Sequence, residues 1–194
     1  MVTLALIACL VASGPPPGES PTPLPPLNAK VVEFARSNVG RPVGDGICIT
    51  LAVEALREAG ARRVPLDDPQ GDYAWGEPVP DLKDVLPGDI LQFRDAVFHG
   101  QRPTGRGRIT RWHDEYPHHT AVVARVERGG KLIIIYHQNV ETQGKGESEK
   151  GNVREGELKM ESLRKGGTIK AYRPVPSDRP AARKPFAEAE TPGD

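Results

Sequence analysis

The chain is short of cysteine and of aromatic side chains, and both shortages narrow what it can be. Its 194 residues hold 2 cysteines, and Phe, Trp and Tyr together make up 5%. Two cysteines cannot build a disulfide framework, so the fold must rest on a hydrophobic core. With hydrophobic residues at 37% that core is modest, enough for one domain. A membrane-length apolar run is missing: Val2–Ala12 falls well short of the roughly 20 residues that span a bilayer. A charge excess is missing as well, because Lys plus Arg equals Asp plus Glu at 26 each.

The charge balance is local rather than uniform. Residues 1–97 carry 8 basic and 13 acidic groups, and the remainder carries 18 and 13. The basic groups fall at Arg102, Arg106, Arg108 and Arg111, and again at Lys159, Arg164 and Lys165. Aromatics do not interleave with them, so they read as a solvated surface, and no nucleic-acid partner is expected. His113, His118 and His119 match no zinc spacing, and neighbours on a strand point apart. No metal is expected. With no phosphate-binding glycine loop and no CxxC pair, no cofactor is expected either.

Glycine and proline are plentiful, at 21 and 20 residues, and they mark the ends. Residues 1–14 read as an export signal or a lipoprotein-like leader. The apolar core is followed by small residues, but a basic n-region is lacking. In the second version Cys9 would carry the lipid and attach the protein to a membrane. The alternative is an apolar terminus on a cytoplasmic protein. Residues 15–27 are a proline-rich linker, 28–173 the folded domain, and 174–194 a Pro/Ala-rich tail too polar to bury much.

Within the domain, Asn28 is placed to cap a helix running to about Val39, with Leu27 and Val32 as its staple. A second helix is expected from Ile47 or Cys48 to Ala59, ended by Gly60. Ala61–Val85 reads as irregular. Asp89–Phe93 is a short strand, 99–118 a polar loop, and His119–Val126 a strand. Arg128–Gly130 is a turn, and Lys131–Asn139 its hairpin partner. A charged excursion over 140–156 precedes a last strand, Thr168–Tyr172. Helices first and antiparallel strands after give an α+β class.

Cys48 carries the chemistry. A thiol at the first turn of a helix faces unpaired N–H groups and the dipole, which favour its thiolate. Gly44 and Gly46 allow close backbone approach, and Asp45 and Gly46 are candidate substrate contacts. The competing reading is a buried structural cysteine. His119, opening its strand, is the candidate base, and chemistry alone does not separate it from His118. His137 and Asn139 differ by two, share a face, and could orient the imidazole. Tyr73 and Trp75 could line a substrate groove or anchor the core.

Three stretches, GDGICITLAVEAL at 44–56, LPGDILQF at 86–93 and HTAVVARVERGGKLIIIYHQNV at 119–140, resemble the nucleophile, strand and histidine segments of the CHAP and NlpC/P60 amidase–peptidase superfamily. The resemblance implies a papain-like fold with N-terminal helices against a small antiparallel sheet. It implies Cys48 as nucleophile, His119 as base, and Asn139 in the family's asparagine position. His137 stands where CHAP domains carry an acid; a histidine there also occurs in the NlpC/P60 branch. The implied activity is amide hydrolysis through a thioester, on peptidoglycan or another peptide amide, by an exported enzyme. The alternative is a catalytically silent, exported wall-binding or scaffold domain of the same fold.

Overall fold

The computed structural model describes residues 23–67, 71–140 and 150–178. The expected leader with Cys9, the linker up to residue 22 and the tail from residue 179 lie outside the described residues. Two helices, α1 (Pro26–Ser37) and α2 (Cys48–Ala59), precede six strands. These are β1 (Glu77–Val79), β2 (Ile90–Thr104), β3 (Arg108–Glu127), β4 (Leu132–His137), β5 (Arg154–Lys159) and β6 (Thr168–Arg173). They form one antiparallel sheet in the order β1-β6-β2-β3-β4-β5. No helix among the described residues is long and apolar enough to cross a membrane.

α2 forms where its apolar spacing predicts. Leu51, Ala52, Ala55, Leu56 and Ala59 are buried along one stripe, and Gly60 ends the helix in the left-handed conformation, which glycine adopts without a Cβ penalty. Full burial of a leucine contributes about 1.5–3 kcal/mol, so Leu51 and Leu56 hold this helix down. α1 differs from expectation at its start. Pro25 is the N-cap, Pro26 the first helical residue, and no side chain caps the end. Proline suits that position because its missing N–H would be unpaired there anyway. Asn28 is instead fully buried, and its Nδ2 donates to Asp89 Oδ1 (2.7 Å) and to Pro87 O (3.0 Å). Arg173 closes on Asp89 at 2.9 Å, so α1, the turn before β2, and β6 share one polar lock.

The core has two halves, one on each face of the sheet. The first joins the helices to Trp75, Ile90, Val122, Tyr136 and Tyr172. The second gathers Leu91, Phe93, Phe98, Tyr116, Ala121, Val123, Ile133, Ile135 and Leu158. Just after β5 the chain returns to β2, pairing Leu163 with Phe98 and donating Arg164 N–H to Val97 O. The sheet therefore curls around the second half. Strands buried on both faces read as continuous apolar runs, as LIIIY in β4 does.

Three strand expectations are corrected. Residues 99–118 are not a loop: β2 and β3 run on as a two-stranded ribbon from Val97↔Glu115 to Thr104↔Arg108, turning at Gly105–Gly107. Exposed on both sides for most of its length, the ribbon needs no apolar alternation and so hides from a period-2 reading. β5 emerges from the charged excursion, its Glu155, Glu157 and Lys159 exposed and Leu158 buried. β1 lies in the stretch read as irregular, and at three residues it is too short for a pattern.

Candidate active site

Cys48 is the first residue of α2, with Ile47 as an extended N-cap. The preceding loop is shaped by Asp45, whose Oδ1 accepts from Thr50 Oγ1 at 2.6 Å and from Ile47 N–H at 3.2 Å. Gly44 and Gly46 both have positive φ. A Cβ on Gly44 would run into Thr50 Cγ2, and one on Gly46 would stand 3.1 Å from Gly151 Cα. Gly46 is buried and admits the backbone at Gly151, while Asp45 is exposed and its carboxylate organises the first turn of α2.

The half-buried thiol is not a ready thiolate. Burial is the largest influence and pushes its pKa above the ordinary value. The backbone N–H groups of Thr120, Ile49 and Cys48 pull the other way, as a helix N-terminus should, while the Asp45 carboxylate adds to the rise. The expected amide stabilisation exists, and desolvation outweighs it.

His119 and His137 come together. His119 Nε2 lies 3.2 Å from His137 Nδ1, both rings are buried, and their planes stand at 80°. Burial pushes both pKa values well below the ordinary histidine range. For His119 the nearby His118 adds to the effect, and for His137 so do His119 and Arg154. Both imidazoles are therefore neutral at pH 7, and one nitrogen of the contact donates. If His119 Nε2 carries the hydrogen, its Nδ1 is a free base for a thiol proton.

A bend in the ribbon builds the aromatic wall around these rings. The β2–β3 ladder skips Asp95, at φ 50°, and Pro117. Before the bend Leu91 and Phe93 point into the second core, and after it Ala96 and Phe98 do. Tyr116 thereby shares a face with His119, three residues on, at a ring separation of 5.2 Å. Phe93 stands directly across from His119 at 5.8 Å. The thiol and the imidazoles thus come from groups packed on opposite faces of the sheet. α2 packs on one face, the histidines stand on the other, and the N–H of Thr120, the residue after His119, meets the sulfur. Neither imidazole is among the groups that set the thiol's acidity.

The remaining predicted residues make other contacts. Asn139 is exposed, at φ 60°, and its backbone N–H donates to Lys150 O; strand β4 ends before it, so sharing a face with His137 no longer follows. Trp75 is 1% exposed and donates to Gln92 Oε1 at 3.0 Å. Tyr73 meets it edge-on at 5.5 Å. Both are buried in the core beneath the helices, and Trp75 also lines a pocket with Val53, Leu56, Arg57 and Val64. His118 contacts Gly71 O at 2.9 Å.

Two glutamines went unnoticed in sequence. Gln92 is buried, accepts from Trp75 and from Thr120 Oγ1, and lies 3.2 Å from His119 O. Gln138 is fully buried and bonds three backbone groups of the Cys48 loop. Val43 N–H donates to its Oε1 (3.1 Å), and its Nε2 donates to Val43 O (3.0 Å) and Ile47 O (2.6 Å). The available signal was a polar side chain inside an apolar run, since a buried polar group is the informative exception. Among the described residues no group of three or more His, Cys, Asp or Glu converges as a metal site would.

A helix-borne thiol, amides aimed at its sulfur and a buried imidazole pair next along the chain form a set suited to acyl transfer. The model of a family described as the AIM3/BBC1 cysteine proteinase-fold domain matches residues 27–182. No curated protein and no solved structure matches the chain. The match bears out the papain-like α+β class. It supports a cysteine proteinase fold and does not extend to CHAP or NlpC/P60 in particular.

Proposed function

The chain belongs to the AIM3/BBC1 cysteine proteinase-fold domain family, and on that basis we propose that it is a cysteine-dependent hydrolase of amide bonds. The observation that carries the reading is Cys48 at the first turn of α2, with its sulfur on the Thr120 N–H, the peptide joined to His119, whose Nε2 faces His137. The resting thiol and imidazoles are neutral, so proton transfer accompanies attack. His119 Nδ1 is the group assigned to take the thiol proton. Sγ bonds to the carbonyl carbon as its proton passes to Nδ1, and amides of the first turn of α2 hold the oxyanion. The imidazolium returns the proton to the leaving amine and the C–N bond breaks. Water, deprotonated by His119, then opens the thioester and frees the acid and the thiol. His137 accepts from Nε2–H and steadies the charged ring. The substrate class that fits the CHAP-like motifs is a peptide amide such as a peptidoglycan stem peptide, with the leader at 1–14 delivering the enzyme to it.

A second reading has its own support. The raised thiol and the two buried neutral imidazoles suit a silent scaffold or binding domain of this family. Acylation by p-nitrophenyl acetate separates the two, followed by peptide mapping so that Cys9 does not contribute. The hydrolase gives one transient acetyl adduct on Cys48. The adduct is absent in Cys48→Ser and forms and clears about 100-fold more slowly in His119→Ala, the usual scale for a lost general base. No adduct, or equal rates in His119→Ala, sinks the hydrolase and leaves the silent domain.

A further inference from the structure

Gln138 sits between two residues of the candidate site, His137 and Asn139, yet its side chain turns away from both toward α2. It is fully buried, and its amide is satisfied three times by one short loop: Val43 N–H and O, and Ile47 O. Ile47 is the N-cap of α2, and the next residue is Cys48. The bonds cross 91 to 95 positions of chain. They tie the nucleophile's loop to the residue bonded to His137. The β3–β4 ladder ends at Val122↔Tyr136, so backbone pairing with β3 does not fix β4 at this point. Gly40 N–H to Val153 O, and Val153 N–H to Arg41 O, link the start of the loop to the segment before β5, whose Arg154 pairs with His137, while Gln138 bonds the end of the loop next to Cys48.

We infer that Gln138 is a positioning residue that sets the distance between the Cys48 thiol and the His119–His137 pair. This rests on the thiol-hydrolase reading above. A side-chain amide suits the task because it donates twice and accepts once on a single rigid plane. A carboxylate would face two carbonyl oxygens with no hydrogen to give, and methionine would fill the space and bond nothing. Misplacement of a reacting group by about 1 Å costs on the order of 100-fold in rate.

The test is the rate of Cys48 acetylation by p-nitrophenyl acetate from pH 5 to 9 in the full chain, each protein held at the same interval below its own melting temperature. Gln138→Met and Gln138→Glu are compared with wild type and His119→Ala. Leu158→Ala, a core truncation in the second half of the core, serves as a control for lost stability. The expected result is a rate at least about tenfold lower in both Gln138 variants, with the pH profile of His119→Ala. Leu158→Ala keeps the wild-type rate and profile. If either folded Gln138 variant acylates as wild type does while His119→Ala is slow, the inference fails alone. If Leu158→Ala slows equally, Gln138 is merely structural and the inference also fails. If His119→Ala matches wild type, the hydrolase reading itself falls and takes the inference with it.

Discussion

At the residue scale, the site is governed by desolvation. Cys48 has the amides that a helix N-terminus supplies, but burial and Asp45 keep its proton on. His119 and His137 are neutral because their rings lie in the core. The pairing of the two rings also depends on a side chain that is not there. Gly156 stands beside His137, and a Cβ on it would lie 2.7 Å from Nε2 and 3.0 Å from Cε1. Gly156→Ala is therefore expected to push the His137 ring off His119. Overpacking of this kind costs about 1–3 kcal/mol in urea unfolding, and Cys48 acetylation is expected to fall about tenfold or more. A wild-type rate in that variant would mean that His137 does not orient the base. The places of the candidate residues were legible: Cys48 at the start of an apolar helix, His119 and His137 on their strands. The direction of the thiol's pKa shift was not, because the sequence shows the helix end and not the burial around it. Asn139 was misplaced because the strand ends two residues earlier than the apolar pattern implied.

At the element scale, the sheet's long hairpin does two jobs. Up to Phe98 and Tyr116 it belongs to the core, and the Asp95/Pro117 bend re-aims its side chains so that Tyr116 walls the imidazoles. Beyond that it is a mostly exposed ribbon, Ile109 being 66% exposed, with Trp112 lying against Gly100 and under Lys159. Replacing 101–111 by Asn-Gly, which favours the tight two-residue turn, should leave the fold and Cys48 acetylation unchanged. The melting temperature is expected to move by less than about 4 °C, the shift of roughly 1 kcal/mol in a domain this size. A larger drop would make the ribbon part of the fold's support. α2 was legible end to end from its apolar stripe and Gly60. The ribbon was not, since strands held by cross-strand pairing in solvent leave no one-sided pattern.

At the scale of the whole molecule, the buried imidazoles link the site to stability. Their folded pKa values lie below the ordinary value of 6.5, so the unfolded chain binds more protons than the folded one once the pH drops below 6.5. Stability is full above that value and falls as the pH moves down toward the depressed folded values. The carboxylates held low, such as Asp45 and Asp72, act only further down, below their ordinary 3.8. The urea midpoint is expected to be flat from pH 8 to about 6.5 and to fall toward pH 4. The fall should be shallower in a His119→Asn/His137→Asn variant, and an equal slope there would show that the pair is not buried neutral. The sequence by itself determined the α+β order, the start of α2 at the thiol and the strands that carry the histidines, because local propensity and apolar periodicity act over a few residues. Only the tertiary structure decided that Gln138 joins the thiol's loop to the histidine strand, that Tyr116 faces His119 and that both imidazoles are buried. Those facts depend on contacts between distant segments and on which groups lose water when the sheet closes.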